Sequence, residues 1–529
     1  MSKVHVRRAG LVSFAIRIGS VFTGLVFTLL VSSNVSLQEF GLWGLLTRTI
    51  AYVLFPGLII SFWTTRYRAR GMLVGRTILV AALIASALLA LLYVALSPVI
   101  AATAPQADPS TSNAFYFLIS TPQIILYTLT AALEALILST SPEKSSLGFV
   151  SFEIAKVCLA LVAIVRLHLS FEGAILSVIG AQIVQIIVLL FFTKNEYGSA
   201  FSFGVIKTMM KNGWVALLDN LHPIVTGFDF LIITIFTHST DLLGLFSAAT
   251  IIAMIGTYSS FLSSGLYPTI LAGRDPQKAS NQIIELQLFF LFPMLVGEAI
   301  LAPQLLDLLN PKASPPYSSA VPILLVLVIW SAVSSFQFTF DSIIGGSDTT
   351  DKSENATFSH YLKSKLFLLS KINLLAATGY MAFLIVIGFI YGSQVSSTLF
   401  GFPGYVFLGI LWAIGALGRS MTGFLLKLHY SRKITRISIQ KKLFGSLGIS
   451  SLVFALILYF LTMLIAKPSG GILVQVAYIA VIGVISLTAY VAVVILLQPS
   501  IREFVLAVLK TVFQSQSRDA SPQGQSQTS

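Results

Sequence analysis

Residues 78–100 read ILVAALIASALLALLYVALSPVI, a run of 23 residues without a charged side chain. A helix that crosses the hydrocarbon core of a bilayer needs roughly 20 apolar residues, and buried strands are much shorter. Runs of the same kind recur along the whole chain. The sequence therefore predicts about fourteen transmembrane helices, at residues 11–31, 40–63, 78–100, 114–138, 148–166, 173–193, 213–236, 244–272, 283–309, 319–344, 371–392, 403–428, 443–466 and 472–498.

The overall composition agrees with an all-α integral membrane protein. Of the 529 residues 56% are hydrophobic and only 10% are charged, whereas an ordinary soluble domain carries about 25% charged residues. This balance excludes a soluble enzyme, a disordered chain and a secreted disulfide scaffold. The single cysteine, Cys158, cannot form an intramolecular disulfide.

The distribution of basic residues predicts the orientation in the membrane. The formal net charge is +13, which would suit nucleic acid, but the basic residues are concentrated in alternate loops. If both termini are cytoplasmic, 26 of the 33 Lys and Arg residues lie on the inner side and only Arg166, Lys312 and Lys467 lie in outer loops. Because cytoplasmic loops of membrane proteins are enriched in Lys and Arg, we predict a multi-pass cell-membrane protein with both termini inside and no nucleic-acid partner.

A short internal repeat predicts two similar bundles. SLQEFGLWGLL around Phe40 and STDLLGLFSAA around Leu243 align at a constant offset of 203, which pairs Gly41 with Gly244 and Trp43 with Phe246. Both copies occupy the same place in a six-helix unit of the same topology. Parallel repeats of this kind are related by an axis along the membrane normal and enclose a cavity between two lobes.

The predicted organisation has four parts. The two lobes hold helices 1–6 and 7–12, an additional helix pair follows them, and a cytoplasmic segment ends the chain. In that segment residues 501–513 have apolar residues at helical spacing and are predicted to lie on the inner membrane surface, and the polar tail after them is predicted to be disordered. The long inner loop at 345–370 is predicted to form a short surface helix at its lysine-bearing end. The boundaries are 1–193, 194–428, 429–498 and 499–529.

Three stretches resemble a known family. Arg17 and the run Glu39-Phe40-Gly41-Leu42-Trp43 match the opening of the polysaccharide-biosynthesis flippases, the Wzx-like branch of the multidrug/oligosaccharidyl-lipid/polysaccharide exporter (MOP) superfamily. Residues 227–271 resemble the seventh and eighth helices of that family, with its acidic residue at Asp229. Residues 301–327 resemble its turn between helices nine and ten.

The resemblance implies a two-lobed transporter with the fold of multidrug and toxin extruders (MATE) and two added helices. Its cargo would be a polyprenyl phosphate or pyrophosphate glycan, moved from the cytoplasmic to the outer leaflet by alternating access. The resemblance covers residues 11–345 by motif and the remainder by topology alone. It identifies neither the glycan nor the lipid carrier, nor the oligomeric state.

Charged residues inside the predicted helices are the candidate site, because each costs a few kcal/mol in a bilayer. An anionic headgroup needs cationic partners in a site of low dielectric, and arginine binds phosphate through two parallel hydrogen bonds. We therefore predict that Arg17, Arg48 and Arg419 bind the headgroup phosphate. For Arg17, snorkelling to the inner headgroups is the alternative, and for the other two it is structural pairing with an acidic residue.

Four further charges are candidates for coupling to H⁺ or Na⁺. Asp229 and Glu134 are intramembrane carboxylates that either bind the cation or act as counter-ions of the arginines. Glu153 and Lys156 lie three residues apart on one helical face, where they either serve the same role or neutralise each other. His222, beside Pro223, marks a predicted kink.

Three rival functions remain at this level. A drug or organic-cation antiporter has the same fold but needs an acidic cavity, and a lipid II flippase has a cationic cavity of the same kind. A membrane glycosyltransferase or polymerase would need larger outer loops with acidic or histidine clusters. The sequence has no metal-ligand cluster, glycine-rich phosphate loop or nucleotide motif, so we expect neither catalysis nor a cofactor.

Overall fold

The computed structural model consists almost entirely of helices. It describes residues 19, 23–24, 26–27, 30–31, 34, 37–101, 112–138, 140–219, 221–237, 239–309, 317–350, 358–438, 441–465, 472–499 and 502. Within these ranges eleven helices are long and apolar enough to cross a membrane. The predicted all-α membrane fold is confirmed, and the total of fourteen spans stays a prediction.

The first half of the chain forms six described helices after the scattered helical residues of the first predicted span. They are α1 (Leu37–Leu54), α2 (Leu58–Ala69), α3 (Gly75–Ala101), α4 (Asn113–Leu138), α5 (Pro142–Ala160) and α6 (Ser170–Thr193). The predicted span 40–63 is divided into α1 and α2 by a 3₁₀ turn at Phe55–Gly57. Proline cannot donate the hydrogen bond that a continuous helix requires at this point.

The second half begins with short helices and continues with long ones. The short ones are α7 (Phe203–Lys211), α8 (Gly213–Asp219), α9 (Leu221–Gly227) and α10 (Asp229–Thr237). The predicted span 213–236 is interrupted by a turn at Phe228. The next helices are α11 (Thr240–Thr257), α12 (Leu266–Leu271), α13 (Pro276–Ile300), α14 (Ala302–Leu309) and α15 (Val321–Gly346).

The last helices are α16 (Phe358–Leu362), α17 (Lys365–Tyr391), α18 (Gly404–Ile434), α19 (Lys441–Leu464) and α20 (Ile472–Leu497), with a two-stranded hairpin of β1 (Thr398–Leu399) and β2 (Phe402–Pro403) before α18. Several of the helix starts have polar N-caps. Ser239 accepts from the Leu242 backbone N–H, Ser364 accepts from that of Phe367, and Asp275 accepts from that of Gln277. Such caps satisfy backbone N–H groups that have no partner inside the helix.

The internal repeat is visible in the packing. Trp43 packs on Phe27 with ring centroids 6.2 Å apart. The equivalent residues, Phe246 and Phe230, pack at 6.3 Å. The two halves therefore share this aromatic packing.

The two halves are packed together at one end of the bundle, which we call the basic end because Arg66, Arg70 and Lys365 lie there. A hydrophobic cluster at this end joins α2, α3 and α4 to α7 and α8, and it includes Tyr361. Among the described residues, the extensively packed helix pairs that join the halves all belong to this region. The pair α19–α20 lies elsewhere, against α13.

The long loop at 345–370 differs from the prediction of a surface helix. A helix is present at Phe358–Leu362, but Tyr361 is only 2% exposed. Its ring contacts Trp63 of α2 and Trp214 of α8. The lysine-rich composition of this loop did not indicate that Tyr361 would be buried in the hydrophobic cluster at the basic end. Residues 503–529, and with them most of the predicted amphipathic segment and the polar tail, lie outside the described residues.

Candidate functional site

The structure locates Arg419 in the middle of the second half. It is the sixteenth residue of α18, which puts it about 22 Å from the first residue of that helix at 1.5 Å per residue. The guanidinium lies over the ring of Tyr380, 5.6 Å from the centroid. Its Nε is buried without a hydrogen-bond partner, and within the described ranges it forms no ion pair closer than 4.0 Å. Arg419 is thus a cation without a fixed counter-ion contact.

Asp229 belongs to a hydrogen-bonded chain below this guanidinium. Its Oδ2 accepts from the Tyr380 hydroxyl at 2.9 Å, and its Oδ1 accepts from the Phe230 backbone N–H at 2.7 Å. The Tyr380 hydroxyl in turn accepts from Trp412 Nε1 at 2.7 Å. The carboxylate is therefore held by donors of α10 and α17 rather than by an arginine fork.

Aromatic packing fixes the position of this chain of hydrogen bonds. Trp412 is completely buried and stacks on Phe246, with centroids 3.6 Å apart and rings 3° from parallel. Phe246 is the aromatic residue of the second repeat motif. The repeat therefore orients the indole N–H, which orients Tyr380 beneath Arg419.

A cavity of about 170 Å³ opens beside Arg419 between α9, α15, α17 and α18. Its lining is polar and aromatic and, in the described part of the chain, contains no carboxylate. The lining residues are His222, Trp330, Ser334, Gln337, Asn373, Ala376, Arg419, Ser420 and Gly423. Such a cleft presents hydrogen-bond donors and one guanidinium to a bound group.

Lys427 extends the polar surface of α18 toward the basic end. This side chain is 1% exposed, and its Nζ lies 2.8 Å from Asp341 Oδ1 and 3.3 Å from Gln337 Oε1. The sequence puts Lys427 at the end of the predicted span 403–428, among the basic residues of the inner side. The helix in fact continues to Ile434, so the lysine lies inside the bundle and is paired.

The charges predicted in the first half have partners. Glu153 Oε1 and Lys156 Nζ form an ion pair at 2.9 Å, and Thr23 Oγ1 donates to Glu153 Oε2 at 2.5 Å. Lys156 also lies 5.2 Å from the ring centroid of Phe27. Glu134 Oε1 accepts from Gln185 Nε2 at 2.9 Å. These side chains join helices of one bundle.

Two of the predicted phosphate ligands cannot be located. Arg17 lies outside the described residues, and the side chain of Arg48, whose backbone belongs to α1, does so as well. The structure thus brings Asp229 and Arg419 into one region. It leaves the contribution of the first-half arginines as a prediction.

Sequence reasoning missed a buried arginine that joins the two halves. Arg66, at the end of α2, is completely buried. Its Nη1 donates to the Tyr267 hydroxyl at 2.9 Å and to the Gly345 carbonyl at 3.1 Å, and its Nη2 lies 3.7 Å from Asp348 Oδ1. Arg70 donates to the Asp348 carbonyl at 2.6 Å. We call this group the Arg66–Asp348 latch. In the sequence, Arg66 is one of four basic residues in a predicted loop.

A second cavity of about 540 Å³ lies beside the latch. Three basic residues line it, Arg68 and Lys144 from the first half and Arg274 from the second. Arg68 is held by Glu196 at 2.6 Å. The basic end therefore combines a closed contact between the halves with a basic, polar recess.

Comparisons with known proteins identify the fold. No protein-family profile and no curated protein sequence matches the chain. Among solved structures it is similar to a MATE transporter in complex with MaL6, with a TM-score of 0.63, 14% identity and coverage of 81% of this chain and 96% of that one. A MOP superfamily transporter from Pyrococcus furiosus, described as having a binding pocket of reversed polarity that suggests a different function, matches at TM-score 0.61 and 14% identity with the same coverage.

A multidrug resistance MATE family transporter in an outward-facing conformation also matches, with TM-score 0.59 and 14% identity over 81% of this chain and 96% of that one. Likenesses at this level of identity establish architecture and not substrate. The chain has the fold of the MATE transporters of the MOP superfamily.

Proposed function

We propose that this protein is a flippase that moves a lipid-linked oligosaccharide from the cytoplasmic to the outer leaflet by alternating access. The transporter fold supports movement of a cargo between two lobes. A flippase cargo leaves its polyprenyl tail in the lipid, so only the glycan and its phosphate or pyrophosphate need a polar path. The choice of this cargo depends on the chemistry of the cleft.

The observation that carries the proposal is Arg419, a half-buried arginine. It forms no ion pair within 4.0 Å among the described residues and faces a cleft with no described carboxylate. An anionic headgroup supplies the missing partner, and a guanidinium binds phosphate through two parallel charge-assisted hydrogen bonds. Ser334, Gln337 and Asn373 add polar groups suited to sugar hydroxyls. We propose that Arg17 and Arg48 contribute from the other lobe.

The rival functions differ in the charge they require. An organic-cation antiporter needs a carboxylate facing the cargo, but Asp229 is engaged by Tyr380 and by the Phe230 N–H. The reversed pocket polarity described for the Pyrococcus furiosus neighbour supports the idea that pocket charge varies on this fold. Lipid II carries the same pyrophosphate and remains the competing cargo for the experiment below.

The Arg66–Asp348 latch supports a specific conformational state. With the predicted orientation, both termini and the basic end are cytoplasmic. The halves are joined there, so we propose that this conformation is closed to the cytoplasm. Loading of the cargo from the inner leaflet would then require the latch to open.

The test compares three purified variants in proteoliposomes that contain a fluorescent undecaprenyl-pyrophosphate N-acetylglucosamine probe. Two charge-assisted hydrogen bonds are worth about 3 kcal/mol, so we expect Arg419→Ala to lower the translocation rate about 100-fold. Arg419→Lys keeps the charge but not the planar fork and should retain an intermediate rate. Arg432→Ala, at an exposed residue of the same helix, is the matched control.

The same vesicles distinguish the rivals. Preference for a lipid II probe would assign the peptidoglycan precursor, and transport of a fluorescent organic cation that survives Arg419→Ala would assign an antiporter. An Arg419→Ala variant that is folded and flips the glycan probe at the rate of the unmodified protein would overturn the proposed role of the cleft.

A further inference from the structure

A break in a membrane-spanning helix lies in the second half, away from the Arg419 cleft. Helix α11 ends at Thr257, a 3₁₀ turn covers Tyr258–Ser263, and α12 begins at Leu266. The last carbonyls of an α-helix lack intrahelical partners and carry partial negative charge. In transporters, half-helix ends and unwound carbonyls of this kind coordinate small cations. Ser259 Oγ donates to one of these carbonyls, that of Gly256, at 3.0 Å.

Glu298 of α13 lies against this break. Glu298 is 3% exposed. Neither carboxylate oxygen has a hydrogen-bond partner of good geometry in the described structure, and its polar neighbour in the backbone is Gly256. A Cβ built on Gly256 would lie 3.3 Å from Glu298 Oε1 and 2.5 Å from Ser331 Oγ. The carboxylate, the Ser331 hydroxyl and the end of α11 are thus in close contact, and a side chain at residue 256 would displace the hydroxyl.

This point lies deep in the bundle. Ser331 is ten residues after the start of α15, which corresponds to about 15 Å along the helix. An ionised carboxylate buried there without a partner would be several kcal/mol unfavourable. Some positively charged partner must therefore be supplied from outside the protein, or the group must carry a proton.

The neighbouring titratable groups do not provide that partner. None of the described ones on α13 and on the elements packed around it hydrogen-bonds to or ion-pairs with Glu298. Asp341 pairs with Lys427, and Tyr490 donates to the Phe289 carbonyl. The described titratable groups on α13 and on the elements packed around it, other than Glu298, are Tyr258, Tyr267, Lys278, Glu285, Asp307, Asp341, Lys442, Tyr459, Tyr478 and Tyr490.

We propose that Glu298, Ser331 and the carbonyl end of α11 form a binding site for a monovalent cation, either H⁺ on the carboxylate or Na⁺ between the oxygens. The described residues contain no group of three His, Cys, Asp or Glu side chains, so a single carboxylate fits a single positive charge better than a divalent ion. Cation binding here does not depend on the cargo. Its use to drive transport does rest on the proposed transport function.

The site has a mechanical consequence. It joins α11, α13 and α15 where α11 changes into the 3₁₀ turn, and α12, which follows that turn, carries Tyr267 of the Arg66–Asp348 latch. Occupancy by a cation holds the three helices together. Loss of the cation leaves a charge that α13 can accommodate only by moving toward water.

The first test uses dicyclohexylcarbodiimide on the purified full-length protein in detergent, followed by peptide mass spectrometry. A protonated carboxyl adds across a C=N bond of the carbodiimide to form an O-acylisourea, and transfer of the acyl group from oxygen to nitrogen leaves a stable N-acylurea. We expect modification of Glu298 at pH 6 that falls at least tenfold at pH 9. Protection by 100 mM NaCl, relative to choline chloride at one pH, assigns Na⁺; equal labelling in both salts assigns H⁺.

The second test measures unfolding temperature against pH and against NaCl replaced by choline chloride. A ligand that binds the folded state raises its stability. We expect Glu298→Gln to remove the dependence on the assigned cation, Ser331→Ala to weaken it, and Glu172→Gln to leave it unchanged. If the unmodified protein and Glu298→Gln respond identically to both variables and Glu298 resists the reagent at every pH, the site is refuted. No cargo enters either test, so failure of the flippase proposal would not affect the result.

Discussion

The two halves of the molecule have equivalent aromatic contacts, but the charged residues beside those contacts are paired in different ways. In the first half the ring pair Phe27–Trp43 adjoins a carboxylate, Glu153, that a lysine of the same helix neutralises. In the second half the equivalent pair Phe230–Phe246 adjoins Asp229, which is hydrogen-bonded to a tyrosine, with an arginine left unpaired above it.

The difference separates structural charges from available ones. A buried pair whose partners lie within one bundle connects its helices and has no capacity left for a ligand. A buried charge without a partner is unfavourable by itself, so it points to something that binds in another state or from solution. By this criterion, among the described charges, Arg419 and Glu298 of the second half are available, and Glu153 and Lys156 of the first half form an internal pair.

The largest effect on stability should come from removing one member of the first-half pair. Lys156→Ala leaves Glu153 buried with only the Thr23 hydroxyl, and breaking a buried ion pair in this way destabilises by about 3–5 kcal/mol. The double variant Glu153→Gln, Lys156→Met removes both charges and should be much closer to neutral. Thermal unfolding in detergent measures both. If Lys156→Ala unfolds normally but abolishes translocation, the pair is functional and the contrast between the halves is wrong.

A smaller effect is expected at the contact between the halves. Arg66→Ala removes the donors to Tyr267, Gly345 and Asp348, and we expect about 3 kcal/mol of lost stability from an unpaired buried charged network. Hydrogen–deuterium exchange should increase at the ends of α2 and α15. Arg68→Ala is the matched control because its partner, Glu196, lies in the 3₁₀ turn directly after α6, so this pair does not join α2 to the helices of the second half. Equal exchange in the two variants would show that Arg66 does not hold the halves together.

Most of the helical architecture could be predicted from the sequence because long charge-free runs determine it. The predicted spans 78–100 and 114–138 correspond to Gly75–Ala101 and Asn113–Leu138. The breaks were less visible, since an average over a window of apolar residues does not register a 3₁₀ turn such as Tyr258–Ser263. The lobe boundaries and the positions of helices beyond the described residues stay predictions.

The candidate site was only partly predictable, for a physical reason. Sequence gives the depth of a charge along a helix, and this identified Asp229 and Arg419 as intramembrane residues. It does not give the partner, which comes from another helix far away in the chain. Arg66 resembled a loop residue because three other basic residues surround it. Glu298 lies inside the predicted span 283–309, but the sequence does not show which helices pack around it.

The smallest effect on stability is expected at Tyr380. Removing its hydroxyl oxygen tests how the charges of the second half are paired. Tyr380→Phe keeps the ring beneath Arg419 but removes the hydroxyl that donates to Asp229 and accepts from Trp412. A hydrogen bond to a charged group is worth about 1.5 kcal/mol or somewhat more, so stability should fall by about that amount.

The freed carboxylate can then attract the guanidinium, which would compete with an anionic headgroup. We therefore expect translocation of the pyrophosphate probe to fall about tenfold in Tyr380→Phe and to recover when Asp229→Asn is added. Recovery in the double variant would mean that Tyr380 acts by occupying Asp229; a loss that persists without the carboxylate would assign the hydroxyl a direct contact with cargo.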